Sequence, residues 1–337
     1  MKNILLVFTG GTIGSTVHAG TINTDPNARL TLLHLFDQAS DPTVAVNFKI
    51  LQPLQILSEN LHPQHWQAII ACLQAEDLSQ FDGIIVTHGT DTLAFTAAAL
   101  GLYFHALTIP LLLVSSDLPL VHAQANGLAN FMAAVAFIQH FKLGGVFVPY
   151  KNPGQKLNIY RGVRLQSCLS LSSDFIGIQR HRFAQFDGQL FSDLEQYPPI
   201  QNESLKLKID FSKRILLIRP YPGLDYTSFD LTQVDAVLHD LYHSGTACIN
   251  ADFGSQHALP AFIRRCRQQN IRIYLAPAMK NEDSYQTTQE LVASGASMIW
   301  NMSLEVAYAK LLLAYTNCPH DVAIGEFLQH NLAGEIL

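Results

Sequence analysis

Charged residues are scarce in this chain. They make up 14% of its 337 residues, and no basic run occurs. The 27 aspartates and glutamates outnumber the 21 lysines and arginines, so the formal net charge is −6. Neutralising phosphates requires clustered lysine and arginine, so this composition argues against a nucleic-acid-binding protein. At 48% hydrophobic residues the chain is too apolar to be disordered, and it is long enough to bury a sizeable core.

Long apolar runs and paired cysteines are also missing. The apolar stretch 109–116 is too short to span a bilayer, and the opening residues MKNILLVFTGG lack the pattern of a signal peptide. The five cysteines are widely spaced, odd in number and free of any C-x-x-C pair. This usage is typical of reduced thiols and excludes a zinc ribbon. We therefore expect a cytoplasmic protein without a membrane segment or a metal centre.

Short apolar runs alternate with helical patterns in the first half of the chain. Strands are predicted at 4–8, 48–51, 83–87, 110–115 and 144–149, and helices near 63–74, 92–107 and 123–141. Compact β-branched and apolar runs between helices are typical of parallel strands covered on both faces. The pattern predicts a parallel sheet with right-handed crossovers.

The pattern weakens between residues 183 and 213 and then restarts. The polar, proline-containing stretch 186–212 is predicted as a linker between an N-terminal domain, 1–185, and a C-terminal domain, 213–337. In the second part, strands are predicted at 215–218, 247–251 and 271–275, and helices at 231–243, 261–269, 285–293, 304–315 and 321–331. The predicted fold class is α/β, with a larger N-terminal parallel-sheet domain and a smaller C-terminal α/β domain.

The first predicted strand ends in a glycine-rich turn, Thr9-Gly10-Gly11-Thr12-Ile13-Gly14. Two successive glycines permit positive φ and a close backbone approach to a ligand. In α/β sheets ligands bind outside the carboxyl ends of the strands, which places the Thr12 hydroxyl where it can react. A plain tight turn or a phosphate loop is the alternative, although the segment matches neither G-x-G-x-x-G nor a Walker sequence.

A second threonine-rich turn, His88-Gly89-Thr90-Asp91-Thr92, follows the predicted strand 83–87. It opens a helical run, so Thr90 or Asp91 could simply cap the helix, where a carboxylate is favoured by the dipole. His88 could either orient Thr90 or be a satisfied core histidine. The two turns are expected at the same edge of one sheet, which favours a shared site.

Together TGGTIGS and THGTDTLAFTAAAL resemble the bacterial-type L-asparaginase family, closest to its cytoplasmic type I branch. Similarity to that family implies hydrolysis of L-asparagine to L-aspartate and ammonia without a cofactor. It implies that Thr12 is the nucleophile that attacks the carboxamide, and that Thr90, beside Asp91, positions or activates water. It also implies a homodimer or homotetramer acting on a small amino-acid substrate.

The resemblance also implies a set of substrate-binding residues. Asp91 and Glu59 would hold the α-ammonium by charge-assisted hydrogen bonds, and Ser58 would bind the α-carboxylate. The turns at Gly11 and Gly89 would offer backbone N–H groups to the developing oxyanion. A small zwitterionic amide needs such an acidic clamp and several donors.

Two activating residues of the family are replaced in this chain. Aligned on Tyr160-Arg161-Gly162, the position of the family's catalytic lysine falls on Ser167, and the position of its loop tyrosine falls on or near Thr21. A threonine hydroxyl needs a base to attack efficiently. The alternative hypothesis is therefore a degenerate homologue that binds an amino acid or related ligand with little turnover.

Other patterns have simpler interpretations. His239 and His243 stand four apart, as zinc ligands on a helix do, but a solvated helix face is the simpler interpretation because no third ligand is recognisable. His62 and His65 are predicted at a helix N-terminus. Lys156, Arg161, Arg164, His18 and Tyr160 are conceivable replacements for the missing activators, although a role elsewhere is the simpler expectation for each. A nucleotide-binding protein is a third, weaker hypothesis.

Overall fold

Buried apolar runs form two separate sheets, one in each of the two units into which the chain divides. The computed structural model describes residues 1–18, 21–24, 28–41, 45–195, 205–280, 283 and 285–337. The first unit is Met1–Ile209 and the second is Asp210–Leu337. The predicted linker, 186–212, contributes a short strand and further residues up to Ile209 to the first unit.

The first unit contains ten strands and four helices among its described residues. Its elements are β1 (Lys2–Val7), β2 (Ser15–His18), β3 (Thr21–Thr24), α1 (Ala28–Ala39), β4 (Val46–Leu51), α2 (Pro63–Gln74), β5 (Gly83–Thr87), α3 (Leu93–Tyr103), β6 (Pro110–Val114), α4 (Gly127–His140), β7 (Gly145–Tyr150), β8 (Leu157–Arg161), β9 (Ala184–Phe186) and β10 (Phe191–Ser192).

Eight of these strands form one sheet in the order β10-β9-β8-β7-β6-β5-β1-β4. Five neighbouring strands of this sheet, β4, β1, β5, β6 and β7, pair in parallel. Strands β8, β9 and β10 extend the sheet beyond β7 with antiparallel pairing. Strand β1 lies between β4 and β5, so the turns that follow β1 and β5 leave the sheet side by side. The mixed α/β fold agrees with the predicted class, and β2 and β3 form a separate hairpin.

Apolar helices cover the sheet of the first unit. Helices α1 and α4 contribute Phe36, Phe131 and Phe137 to a core that also holds Leu6 and Leu112 from the sheet. Helix α3 is apolar nearly all round, and all of its residues except Phe95 are buried. A helix that is apolar on every side belongs in the interior, and this fixes the position of the turn that precedes it.

The second unit has its own four-stranded sheet in the order β11-β12-β13-β14, all parallel. Its elements are β11 (Ile215–Ile218), β12 (Ala236–His239), α5 (Leu259–Gln268), β13 (Arg272–Ala278), α6 (Gln286–Ala293), β14 (Ser297–Trp300), α7 (Leu304–Asn317) and α8 (Asp321–Gln329).

The C-terminal residues of the second unit are held by a buried ion pair. The Lys310 ammonium on α7 donates to Glu335 Oε1 at 2.6 Å and also to the carbonyls of Leu328 and His330. Glu335 in turn accepts from the N–H groups of Leu332 and Ala333. Both charged side chains are fully buried, so neither could remain charged there without these partners.

Two predicted elements of the second unit are wrong. The predicted helix 231–243 contains the fully buried strand β12, because a short apolar run has no reliable period to distinguish strand from helix. The predicted strand 247–251 is irregular. Its backbone is used elsewhere, since the Cys248 carbonyl accepts from the Leu259 N–H at the start of α5.

The helical spacing proposed for His239 and His243 is therefore wrong as well. His239 ends β12 and is buried, with Nε2 hydrogen-bonded to the Tyr226 hydroxyl at 2.8 Å. His243 lies exposed in the following turn. Burial lowers the pKa of His239 to about 4, which marks it as a neutral core residue.

Several elements of the first unit were not anticipated, notably α1, the β2–β3 hairpin and the antiparallel strands β8 to β10. The predicted position of His62 and His65 is confirmed: both side chains cap the N-terminus of α2 reciprocally. Within the described part of the chain, no helix has the length and apolarity needed to cross a membrane.

Candidate active site

The two threonine-rich turns touch through their glycines. A Cβ placed on Gly11 would lie only 2.3 Å from the Gly89 nitrogen and 2.6 Å from the Gly89 Cα. Gly11 also has φ of +77°, which side chains rarely tolerate. Only glycine permits this approach, which places Thr12 and Thr90 each one residue beyond the contact.

The first turn is fixed on its other side by the loop after β4. Gly10 pairs with Ile56, and a Cβ on Gly10 would lie 2.2 Å from the Ile56 carbonyl oxygen. The Gly11 N–H donates to that carbonyl at 2.9 Å, and the Ile56 N–H donates to the Thr9 carbonyl at 3.0 Å. The Gly11 amide is thus engaged within the protein. We expected this N–H to face a substrate, but the structure gives Gly11 a different role, which is to shape the turn.

This loop also carries Ser58 into the second turn. The Ser58 hydroxyl donates to Asp91 Oδ2 at 2.9 Å and accepts from the Asp91 N–H at 3.2 Å. Thr92 Oγ1 donates to the Ser58 carbonyl at 2.9 Å. Ser58 is 4% exposed, and its buried hydroxyl holds the Asp91 carboxylate just before the start of α3.

Thr12 and Thr90 are both half-buried at this edge of the sheet. Thr12 opens a short 3₁₀ turn, and the carbonyl of the preceding Gly11 accepts from the Ser15 hydroxyl at 2.7 Å and the Gly14 N–H at 2.9 Å. Asp91 is exposed and stands beside the N-terminus of α3, where the helix dipole favours a carboxylate.

A buried chain of three hydrogen bonds supports the second turn. The Trp66 indole N–H donates to Thr96 Oγ1 at 2.9 Å, and Thr96 Oγ1 lies 2.9 Å from His88 Nε2. His88 Nδ1 lies 2.8 Å from the Gly89 carbonyl, which can only accept. The Nδ1 atom therefore carries the proton, and Nε2 accepts from Thr96. Burial lowers the pKa of His88 to about 4, so the ring is neutral.

Not all predicted site residues have described contacts. Glu59 lies exposed in the 3₁₀ turn 58–60, next to Ser58. The side chain of Thr21 lies outside the described part of the structure, although its backbone pairs with His18 in the hairpin. The position of Glu59 leaves its carboxylate accessible to a ligand.

Ser167 lies half-buried in the loop that runs from 165 to 177. The loop closes on itself through the Leu165–Gly177 bridge and the bond from the Gln166 N–H to the Ile176 carbonyl. Burial, the Asp91 carboxylate and the Asp174 carboxylate raise the pKa of Cys168 to about 11. Cys168 therefore stays a neutral thiol without nucleophilic character.

Three residues considered as replacements for the family's activators are placed elsewhere by the structure. The Tyr160 hydroxyl is buried and donates to the Phe175 carbonyl at 2.9 Å. The Arg161 guanidinium lies over the rings of Phe147 and Phe183. Lys156 is exposed and lines a cavity of about 730 Å³ beside α1 and α4, away from the two turns.

Sequence reasoning missed two features near the turns. Thr96 is the only polar residue in the apolar run LAFTAAAL, and a single hydroxyl in such a run is typical of a buried hydrogen bond. The Ser115 hydroxyl, one residue beyond β6, is buried without a hydrogen bond to a described residue. No cluster of three or more metal-ligating side chains occurs among the described residues.

The chain is similar to several known proteins. Residues 3–189, more than half of the chain, match the family model described as "Asparaginase, N-terminal". The chain is 28% identical to a glutamyl-tRNA(Gln) amidotransferase subunit from Aeropyrum pernix, over 99% of this chain and 79% of the relative. It is 27% identical to the protein of the same name from Thermoplasma acidophilum, over 100% of this chain and 80% of the relative.

Solved structures show the same fold. The thermostable L-asparaginase from Thermococcus kodakarensis superposes with a TM-score of 0.78 at 23% identity, covering 99% of both chains. L-asparaginase I from Vibrio cholerae also gives 0.78, at 22% identity, covering 100% of this chain and 99% of its own. At these identities the likeness shows the architecture alone.

Proposed function

Because the chain belongs to the asparaginase family, we propose that it hydrolyses the side-chain amide of a small amino acid, L-asparagine first among them. The observation that carries this proposal is the contact of Gly11 with Gly89, which brings the turns of Thr12 and Thr90 together at one sheet edge. Asp91 and Ser58 lie at the same place and are already hydrogen-bonded.

In the proposed reaction Thr12 Oγ adds to the carboxamide carbon and ammonia leaves with the proton of the threonine hydroxyl. The resulting ester is then cleaved by water, which restores the Thr12 hydroxyl and releases the carboxylate. Thr90 positions this water. Thr12 and Thr90 are both half-buried, so bulk water is partly excluded where the reaction would take place.

Substrate recognition is proposed for the residues around Asp91. The Asp91 and Glu59 carboxylates are exposed and would bind the α-ammonium group. The Ser58 hydroxyl would exchange its bond with Asp91 for one with the α-carboxylate, since its proton is engaged in the unliganded protein. An active homodimer or homotetramer is proposed on the family resemblance.

The test measures aspartate and ammonia released from L-asparagine and, separately, glutamate from L-glutamine. Thr12→Ala is the inactive comparison, and Thr16→Ala, four residues further along the same segment, is the matched control. We expect turnover that disappears in Thr12→Ala and persists in Thr16→Ala. Equal rates of ammonia release in the unchanged protein, Thr12→Ala and Thr16→Ala would refute the proposed hydrolase activity.

Ser167 favours a second candidate, a homologue that binds an amino acid with little turnover. On the family resemblance, the position of the family's lysine is aligned with Ser167, and a serine cannot supply that ammonium group. Loss of one member of a catalytic unit lowers turnover by about 10⁴-fold. Thermal stabilisation by L-aspartate without measurable ammonia release would favour this candidate.

The two relatives named as amidotransferase subunits favour a related role, in which amide hydrolysis serves a larger assembly. In that role the isolated chain would turn over slowly and gain activity with a partner protein. Full-rate hydrolysis by the isolated chain, compared with the rate in the lysate of its own source, would argue against the need for a partner.

A further inference from the structure

A cavity of about 360 Å³ lies beside strand β8 in the first unit. Its volume is in the range of small-molecule binding sites. The described residues that line it are two arginines, several amide and phenol side chains, two aliphatic residues and a glycine, and none of them is acidic. Neither threonine-rich turn contributes to this lining, so the cavity is separate from the candidate active site.

The buried polar side chains of the lining are held in place by hydrogen bonds. The Tyr160 hydroxyl donates to the Phe175 carbonyl at 2.9 Å and accepts from Asn158 Nδ2 at 3.2 Å. The Asn152 amide forms two bonds with the Phe175 backbone, at 2.8 and 2.9 Å. Asn152, Asn158 and Tyr160 are all buried. This wall is therefore formed in advance and does not have to be ordered when a ligand enters.

Arg180 brings to the cavity a positive charge that has no partner. Within the described part of the chain, its guanidinium forms no ion pair, hydrogen bond or ring contact. Arg182, the other arginine of the lining, is paired with Asp193 at 3.0 Å. The lining thus carries one uncompensated charge, on the side chain best suited to bind an oxyanion through paired N–H donors.

The backbone at Arg180 has a conformation that glycine usually adopts. Gln179 and Arg180 have φ of +54° and +61° within a turn closed by the His181 N–H, which donates to the Ile178 carbonyl at 3.0 Å. Turns with positive φ at both central residues favour asparagine and glycine, because other side chains are strained there. Strained positions of this kind are concentrated at ligand-binding sites. An arginine at this position therefore indicates a role in binding.

Two aliphatic side chains line the cavity together with the polar groups. Leu169 and Ile176 both belong to the loop 165–177, and Leu169 is 44% exposed although it is a large apolar residue. A bare inorganic ion would leave these side chains without a partner. A ligand that carries a small organic part beside its anionic group would contact them and remove apolar surface from water.

We propose that this cavity binds a small phosphate monoester, with its phosphate on the Arg180 and Arg182 guanidinium groups and its organic part against Leu169 and Ile176. The planar guanidinium matches two phosphate oxygens, and the absence of acidic residues from the described lining favours a dianion. Inorganic phosphate shares the first contact and lacks the second. Binding at this place requires neither Thr12 nor the proposed hydrolysis.

The first experiment measures binding to the full-length protein by calorimetry at constant ionic strength. Phenyl phosphate is the probe, and inorganic phosphate, benzoate and phenol are the comparisons. We expect saturable binding of phenyl phosphate, binding of inorganic phosphate at least tenfold weaker, and no binding of phenol or benzoate. Equal binding of inorganic phosphate or of benzoate would overturn the assignment to a phosphate monoester.

Two glycine substitutions in the same turn separate the guanidinium from the fold. Arg180→Gly should weaken phenyl phosphate binding at least tenfold, while the melting temperature of the free protein stays the same or rises because glycine relieves the positive φ. Gln179→Gly, at the neighbouring residue with the same backbone conformation, is the matched control and should keep the affinity. The same affinity in Arg180→Gly and Gln179→Gly, whether retained or lost, would refute the site.

A gain of affinity provides an arm that damage to the fold cannot imitate. Asp193→Asn removes the carboxylate that competes for Arg182 and should tighten phenyl phosphate binding at least threefold. An unchanged or weaker affinity would contradict the placement of the phosphate on Arg182.

The variant Thr12→Ala distinguishes this site from the proposed active site. It should lose asparagine hydrolysis and bind phenyl phosphate with unchanged affinity. Phosphate binding without hydrolysis in the unchanged protein would support the cavity and refute the enzyme. Loss of phenyl phosphate binding in Thr12→Ala would place the ligand at the threonine turns and overturn the cavity.

Discussion

A side chain at Gly11 should separate the two threonine turns. In Gly11→Ala the new Cβ would meet the Gly89 nitrogen at 2.3 Å and the Gly89 Cα at 2.6 Å, both of which are backbone atoms that cannot rotate away. The residue would also hold φ near +77° and ψ near −177°. The substitution therefore adds conformational strain and a steric overlap at once.

The expected destabilisation follows from these two contributions. Backbone strain in this region costs about 1 to 3 kcal/mol for a residue other than glycine. Forcing an extra carbon into a packed contact costs about 1 to 3 kcal/mol more. Together they predict a loss of about 2 to 6 kcal/mol in the first unit, or a fall in its melting temperature on the order of 10 °C.

The assay is urea unfolding followed by tryptophan fluorescence. The chain has two tryptophans, and a Trp300→Phe background leaves only Trp66, which is buried in the first unit. The matched control is Gly14→Ala, three residues further along the same turn, where a Cβ meets nothing within 4 Å. The control should change the unfolding free energy by less than about 1 kcal/mol.

The result has a clear refutation. If Gly11→Ala unfolds within about 0.5 kcal/mol of Gly14→Ala, the two turns do not touch and the shared site is wrong. If Gly11→Ala is destabilised as expected and also loses asparagine hydrolysis while Gly14→Ala keeps it, the contact is needed for the reaction geometry as well as for the fold.

Three further outcomes are expected. Gly89→Ala should destabilise the first unit because its Cβ would lie 2.4 Å from Ser58 Oγ and 2.7 Å from Ser58 Cβ, and adding Ser58→Gly should recover part of the loss in urea unfolding. The folded pKa of His88, about 4, lies below its unfolded value of 6.5, so the fold binds fewer protons. The contribution of His88 to stability is then complete above pH 6.5 and is lost at about 1.4 kcal/mol per pH unit down to pH 4. His88→Asn should reduce the pH slope of the unfolding free energy of the first unit by this amount, and an unchanged slope would contradict the neutral ring. Lys310→Met should cost about 3 to 5 kcal/mol in the second unit by leaving a buried carboxylate unpaired, whereas the double change with Glu335→Leu should recover most of it in thermal unfolding.

Local patterns were sufficient for elements with a strong period or a clear boundary. In α5 the buried residues Leu259, Phe262, Ile263 and Cys266 recur at helical spacing, and Arg264 and Arg267 are exposed. The parallel strands β1, β5 and β6 were recognisable as short buried runs between helices. Such signals are contained within ten residues, so they can be interpreted without knowing the rest of the fold.

Sequence patterns gave a wrong prediction where a helix and a strand fit the same short stretch. Strand β12 is a four-residue apolar run inside a longer stretch that also satisfies a helical pattern. Its partners β11 and β13 decide the outcome, and they lie about 20 and 35 residues away along the chain. Pairing of this kind depends on distant residues that no local window contains.

The sequence by itself determined which chemical groups stand at the ends of β1 and β5: two threonine hydroxyls, a carboxylate and the glycines between them. It also determined that position 167 carries a serine. Only the tertiary structure decided that Gly11 lies against Gly89 and that the Ser58 hydroxyl bonds to Asp91. These residues are far apart along the chain, and the pairing of parallel strands alone brings them together.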